Sequence, residues 1–160
     1  MRELEIVGVR IELPSNQPLV LLKEVDGPRH LPIWIGAPEA SAIAMSQQGI
    51  EPPRPMTHDL LINVLQALGK PLLRAELISV EDTIFKASLV FADGVSVDAR
   101  ASDAVALVLR AGCPLLCAEE VLADAGVLVG NGGESVDGEE ERIREFREFL
   151  DDVEPEDFET

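Results

Sequence analysis

The sequence has few of the residues that define several common classes of protein. Only two of its 160 residues are cysteines, which excludes a secreted scaffold held together by disulfides. Cys113 and Cys117 supply too few ligands for a structural zinc site, so we interpret both as buried apolar residues. The longest apolar runs, residues 19–22 and 104–109, are far shorter than the roughly 18–20 residues of a membrane-spanning helix. The opening residues MRELE also lack the apolar stretch of a secretory signal, and we therefore expect a cytoplasmic protein without membrane contact.

Basic residues are the second scarcity. The chain has 13 lysines and arginines against 30 acidic residues, which gives a formal charge of −17. Residues 134–160 contain 13 acidic and 3 basic residues, and residues 1–133 contain 17 acidic and 10 basic residues. Because both parts are acidic, the composition does not predict the strongly basic face that is typical of nucleic-acid-binding proteins.

The apolar pattern of the first half predicts three strands followed by two helices. The predicted segments are strands at residues 2–13, 19–25 and 31–35, a helix from Pro38 to about Gly49, and a helix from Thr57 to about Gly69. Gly8 interrupts the first strand and predicts a β-bulge there. A stiff proline-rich loop separates the two helices, and Thr57 is predicted to be the N-cap of the second.

The second half repeats this order. Its predicted segments are strands at residues 72–80, 84–91 and 95–99, a helix at 103–111 capped by Ser102, and a helix at 118–125. Residues 38–44 also match residues 102–108 in their acidic, small and apolar positions. We therefore predict an α+β fold with an internal duplication of a three-strand, two-helix unit, in which helix pairs cover mixed or antiparallel sheets. Chance likeness between two alanine-rich helices is the alternative explanation.

A glycine-rich segment divides this domain from the end of the chain. Residues 1–130 form the predicted domain, and residues 131–160 form a glycine-rich linker and an acidic tail. Apolar residues of the tail share one face if residues 139–153 are helical. The alternative is a solvated acidic tail with a weak docking face.

Two places in the sequence offer groups for acid–base chemistry. The first is His58, one of only two histidines, with Asp59 beside it at the predicted start of a helix. Histidine can act as an acid, a base or a metal ligand near neutral pH. The alternative is a structural role, in which Thr57 caps the helix and Asp59 complements its positive end.

The second place is the junction between a predicted strand and helix at Asp98, Arg100, Ser102 and Asp103. The N–H groups of a helix N-terminus and the Arg100 guanidinium could bind a phosphate there. The alternative is again a cap with a structural Asp–Arg pair. Glu39 is the counterpart of Asp103 in the repeat, so these two acids could meet and hold a divalent cation such as Mg²⁺ or Mn²⁺.

Several short motifs occur in a defined order along the chain. They are Leu31-Pro32-Ile33-Trp34-Ile35-Gly36, Glu39-Ala40, Ala42-Ile43, Arg54-Pro55, Thr57-His58-Asp59-Leu60-Leu61, Leu68-Gly69, Asp98-Ala99-Arg100, Ser102-Asp103-Ala104 and Ala106-Leu107. Together these motifs resemble the bifunctional nuclease domain family over about residues 1–130. Family members often have a proline where Ala101 stands and a tyrosine where Lys86 stands, so this chain departs from the family pattern at two positions.

The resemblance implies a duplicated α+β fold, a homodimer, and nuclease activity on both DNA and RNA. It leads to the hypothesis of a phosphodiesterase, with or without a divalent metal, in which His58 is a general acid or base. The other assigned residues are Asp59, Asp98 and Asp103 as catalytic groups, Arg54, Arg100 and Ser102 as substrate-binding groups, and Glu39 and Asp103 as metal ligands. The alternative is a non-catalytic binding or regulatory module that recognises a small anion or a protein partner, which the net charge favours.

Overall fold

The computed structural model describes residues 1–12 and 15–128 and confirms the α+β class. These residues form one mixed sheet of eight strands with four helices. The elements are β1 Arg2–Glu12, β2 Gln17–Glu24, β3 Arg29–Trp34, α1 Ala37–Gln47, α2 Thr57–Ala67, β4 Leu72–Glu81, β5 Ile84–Phe91, β6 Ser96–Arg100, α3 Ala101–Ala111, β7 Leu115–Cys117, α4 Glu119–Ala125 and β8 Val127–Leu128. The predicted linker and acidic tail, residues 131–160, lie outside the described residues, which end at β8.

The sheet consists of two antiparallel three-stranded meanders joined by a short strand. Its strand order is β6-β5-β4-β7-β1-β2-β3-β8. The strand β7 pairs with β1 in antiparallel and with β4 in parallel orientation, and the other neighbouring strands are antiparallel. Each half therefore has three strands in chain order before its helices. The internal duplication itself stays a prediction, and the second half contains β7, which the sequence pattern did not predict.

The predicted bulge at Gly8 is present in β1. The pairing register between β1 and β2 shifts between Ile6 and Gly8, and Gly8 has φ +155°. A β-carbon at this position would lie 2.7 Å from the Nη1 atom of Arg10. Glycine is therefore favoured by the backbone conformation, and any larger residue would also have to displace the end of the flexible Arg10 side chain.

The helices α1 and α3 pack side by side, and this contact positions the residues of interest. The helix α1 lies against β1 and β2, α3 lies against β4, β5 and β6, and α2 packs on α3. Most of α3 is buried, including Ala104, Val105 and Leu107 at its centre. Since α1 follows β3 and α3 follows β6, the side-by-side packing brings the two strand–helix junctions together. Within the described ranges, no helix is long and apolar enough to cross a membrane.

Both predicted N-cap residues were wrong by one or two positions. Met56 is the N-cap of α2, and Thr57 is its first helical residue. The Asp59 carboxylate accepts the backbone N–H of Met56 at 3.0 Å. The side-chain hydrogen bond at this helix start therefore comes from an acidic residue of the first turn and not from the Thr57 hydroxyl. At α3 the helix follows β6 without a turn, so Arg100 is the N-cap and Ser102 is buried inside the first turn.

Candidate functional site

Arg100 joins the two strand–helix junctions through their acidic residues. Its Nη2 atom lies 3.1 Å from Oε1 of Glu39, and its Nε donates to Oδ2 of Asp103 at 2.8 Å. Nη2 also donates to Oδ1 of Asp103 at 3.1 Å, which completes a two-pronged contact. Glu39 and Asp103 are each the third residue of their helix, so the repeated sequence position has become a shared contact.

His58 joins this cluster from the first turn of α2. Its Nε2 atom donates to Oδ1 of Asp103 at 2.9 Å, and its side chain is 17% exposed. Burial alone would raise the pKa of Asp103, but hydrogen bonds from Arg100 and His58 outweigh it and lower the pKa. Asp103 is therefore an anion that fixes the imidazole through one nitrogen. The described residues form no hydrogen bond with the other nitrogen, Nδ1. We refer to Glu39, His58, Arg100 and Asp103 as the histidine cluster.

Asp59 lies next to His58 in the chain but contacts different residues. Its Oδ1 accepts Nε of Arg110 at 2.7 Å, and Arg110 also donates to the backbone carbonyls of Ala42 and Ala106. Burial opposes the shift, but the Arg110 contact and the Met56 N–H lower the pKa of Asp59. Asp59 therefore ties α2 to α1 and α3 through Arg110, a contact that the sequence did not predict.

The remaining predicted residues form no side-chain hydrogen bond with the histidine cluster within the described residues. Asp98 is exposed on the edge strand β6, and Arg54 is exposed in the loop before α2. Neither side chain forms a hydrogen bond or an ion pair within the described part of the chain. Ser102 is buried beside Arg100. The structure therefore brings together four of the eight predicted residues. It leaves four outside that set: Arg54, Asp59, Asp98 and Ser102.

The predicted cation position is taken by an arginine. Glu39 and Asp103 do approach one another, but both bind the guanidinium of Arg100. The described residues contain no group of three or more histidine, cysteine or acidic side chains that could hold a metal ion. In this arrangement the donor set does not fit Mg²⁺ or Mn²⁺, which need several free oxygen ligands.

A groove of about 540 Å³ opens beside the cluster, and Arg100 is one of its walls. The other walls come from the end of β3, the β4–β5 hairpin and the turn before β2. The lining residues are Asn16, Gln17, Pro18, Ile33, Trp34, Ile35, Gly36, Ala37, Thr83, Ile84, Phe85, Arg100, Ala101 and Ser102. No pattern in the sequence predicted this groove. The available signal was Trp34, the only tryptophan in the chain, which lies four residues before the predicted helix start at Pro38.

The family model of the bifunctional nuclease domain matches residues 20–130, and the chain belongs to this family. Two uncharacterized proteins of Mycobacterium tuberculosis, MT1877 of strain CDC 1551 and Rv1829 of strain H37Rv, are similar to it over nearly their whole length. Each is 46% identical over 161 residues, which covers 99% of this chain and 98% of the relative. The family membership agrees with the resemblance of the motifs.

Proposed function

We propose that this protein is a nuclease that hydrolyses phosphodiester bonds in DNA and RNA, with His58 as its general base. The observation that carries the proposal is the contact between His58 Nε2 and Asp103 Oδ1 at 2.9 Å. A carboxylate that accepts the Nε2–H selects the tautomer in which Nδ1 of the neutral ring is the proton acceptor, and it fixes the direction of that nitrogen. The family name supports the same class of reaction.

The histidine cluster divides the work among three side chains. His58 Nδ1 takes a proton from the attacking water while the water oxygen bonds to phosphorus. The bond from phosphorus to the leaving oxygen breaks, and that oxygen takes a proton from the solvent or from the protonated His58. Asp103 is a positioning residue that also stabilises the protonated imidazole. Arg100 is 65% exposed, and its Nη1 forms no hydrogen bond among the described residues, so it can bind the phosphate as charge develops.

Arg54 and Asp98 complete the proposed site as peripheral groups. Arg54 stands four residues before His58 and is exposed, so it can reach a phosphate. Asp98 stands two residues before Arg100 on the same strand. Assistance by Mg²⁺ or Mn²⁺ remains a prediction, and the experiment below includes a direct test of it.

The test is a cleavage assay with purified full-length protein on single-stranded RNA and DNA, in EDTA, in Mg²⁺ and in Mn²⁺. We expect cleavage by the native chain and its loss in His58→Gln, which preserves size and polarity but cannot accept a proton. Gln66→Ala, an exposed polar position on the same helix, is the matched control. Absence of cleavage in all three conditions, or full activity of His58→Gln, contradicts the proposal.

The negative charge around the site favours a second function, a non-catalytic module that binds a small anion or a partner protein. The positive charge of Arg100 is offset by two carboxylates, and residues 1–133 carry 17 acidic against 10 basic residues. Such a site attracts a polyanion weakly. Binding of an anion or a protein without any cleavage would support this function.

We also propose that the protein acts as a cytoplasmic homodimer. The outer face of α2 is apolar and exposed, through Leu60, Leu61, Val64 and Leu68, and faces of this kind mark contacts between proteins. Two free cysteines agree with a reducing compartment. Light scattering after size-exclusion chromatography should give twice the chain mass, and Leu60→Glu should convert the dimer to a monomer.

A further inference from the structure

The groove beside the histidine cluster combines an exposed aromatic face with an arginine. The Trp34 side chain lies at the end of β3 and is 48% exposed, and Ile84 and Phe85 line the groove with it. We propose that this groove binds one unpaired nucleobase, stacked on Trp34, so that the nuclease acts on single-stranded DNA or RNA. The inference rests on the proposed nuclease function and names its substrate form and a base-binding residue.

The size and lining of the groove fit a nucleotide. Its volume of about 540 Å³ is within the roughly 300–1,000 Å³ of small-molecule sites. Apolar side chains from β3 and from the β4–β5 hairpin form part of the wall, and the polar residues Asn16, Gln17 and Arg100 form another part. A flat apolar ring with a polar edge is suited to such a lining. The indole face offers stacking to any of the bases, without a requirement for sequence.

The charge around the groove favours binding of a single strand over binding of a duplex. A duplex is bound chiefly through its phosphates, by several lysine and arginine contacts. Among the described residues, Arg100 is the only basic side chain that lines the groove, and Glu39 and Asp103 already bind it. Affinity must then come from base stacking. A base inside a duplex has both faces covered by its neighbours, so only an unpaired base can stack on Trp34.

Arg100 connects the base-binding groove to the proposed chemistry. It forms part of the groove wall, and it donates to Asp103, which accepts from His58. A strand whose base occupies the groove therefore has its backbone beside the residue that is proposed to hold the phosphate. Holding a substrate next to the catalytic groups by itself accelerates a reaction strongly.

The chain provides its own probe, since Trp34 is the only tryptophan and there is no tyrosine. The experiment is a titration of full-length His58→Gln, which keeps the strand intact, with a short oligo(dT) and with a blunt hairpin duplex. The hairpin loop is closed by a non-nucleotide linker, so that the duplex has no unpaired base. We expect the tryptophan fluorescence to be quenched by the single strand and unchanged by the duplex. Equal quenching by both, or none by the single strand, overturns the inference.

Substitution of the indole gives an independent measurement. In Trp34→Ala, binding of a labelled single strand, followed by anisotropy, should weaken by at least about fivefold, the lower end for one stacked base. Trp34→Phe should retain part of the affinity. The control is Ile78→Ala, an exposed apolar position of β4 outside the groove. Unchanged binding by Trp34→Ala, with the melting temperature of the native chain, overturns the inference.

The two proposals fail in different ways. Quenching by single strands without cleavage by the native protein removes the nuclease function and leaves the base-binding site in place. Cleavage of single strands and duplexes at equal rates, without quenching, leaves the nuclease function and removes the site.

Discussion

His58 Nε2 and Asp103 Oδ1 lie 2.9 Å apart although 45 residues separate them in the chain. The neighbouring residue Asp59 binds Arg110, at the other end of α3. Two consecutive residues of α2 therefore hold both ends of α3. The Asp103 contact orients the His58 ring, and the Asp59 contact stabilises the packing of α2 on α3.

The first prediction concerns the carboxylate that positions His58. Asp103→Asn keeps the shape of the side chain but removes the charge that stabilises a protonated imidazole and binds Arg100. We expect kcat to fall by about 100-fold or more, in the range of general acid–base catalysis, while KM for a short single strand changes little. Steady-state kinetics measure both values. A variant with the native kcat would show that Asp103 has no part in positioning the base.

The second prediction separates structure from catalysis at Asp59. The Asp59–Arg110 ion pair is mostly buried, with side-chain exposures of 28% and 10%. Asp59→Asn should therefore lower the free energy of unfolding by about 2 kcal/mol, as for a hydrogen bond to a charged group. Cleavage per folded molecule should stay near that of the native chain. Denaturant unfolding measures the change in stability, and kcat corrected by active-site titration measures cleavage per folded molecule. A large loss of kcat at native stability would show that Asp59 is a catalytic residue.

Local patterns predicted most of the helices and strands, because apolar residues recur along them with the period of a helix or a strand. The strands β7 and β8 were not predicted, since three and two residues are too short to show alternation. The pairing of β7 with β4 and β1 is a tertiary effect. Likewise, the sequence placed His58 and Asp103 at helix starts, but their contact depends on how α2 crosses α3.

The same limit applies at the predicted metal position, where Arg100 lies between the two acids. The repeat suggested that Glu39 and Asp103 would meet, and they do. Whether two acids are bridged by a cation or by an arginine depends on which side chain reaches between them. The packing of α1 on α3 brings Glu39 to Arg100, and no local pattern in the sequence records that packing.

The third prediction concerns a buried ion pair far from the groove. Glu24 is 1% exposed and binds the side chains of Arg29 and Arg2. The hydrogen bond from Arg29, opposed by burial, lowers the pKa of Glu24 from 4.5 to about 2. Its contribution to stability is therefore complete above pH 4.5 and is lost as the pH falls toward 2.

In Glu24→Gln the free energy of unfolding should depend less on pH between 4.5 and 2, and at pH 7 it should fall by about 2 kcal/mol. This loss of stability is smaller than for a fully buried ion pair because Arg2 and Arg29 reach the solvent. Urea unfolding between pH 2.5 and 7 is the measurement. An identical pH profile for the two proteins would contradict the assigned role of Glu24.

The fourth prediction concerns the cysteines. Both are free, and burial raises the pKa of Cys117 to about 12. Since the thiolate is the reactive form, Cys117 should resist a thiol reagent at pH 8 in the folded protein and react once it is unfolded. Cys113→Ser isolates this signal, because it removes the more exposed thiol. Rapid labelling of folded Cys113→Ser would show that Cys117 is accessible.

The last prediction concerns the acidic tail, which lies outside the described residues. Residues 134–160 carry 13 acidic and 3 basic side chains behind a glycine-rich linker. A tethered polyanion has a high local concentration and competes with nucleic acid for the same positive groups. Truncation after Gly133 should therefore tighten the binding of single-stranded RNA. Salt screens repulsion between exposed charges over about 10 Å at 0.1 M, so the gain should be largest at low salt and shrink as salt is added. Equal affinities of the truncated and full-length chains at low salt would show that the tail has no influence on binding.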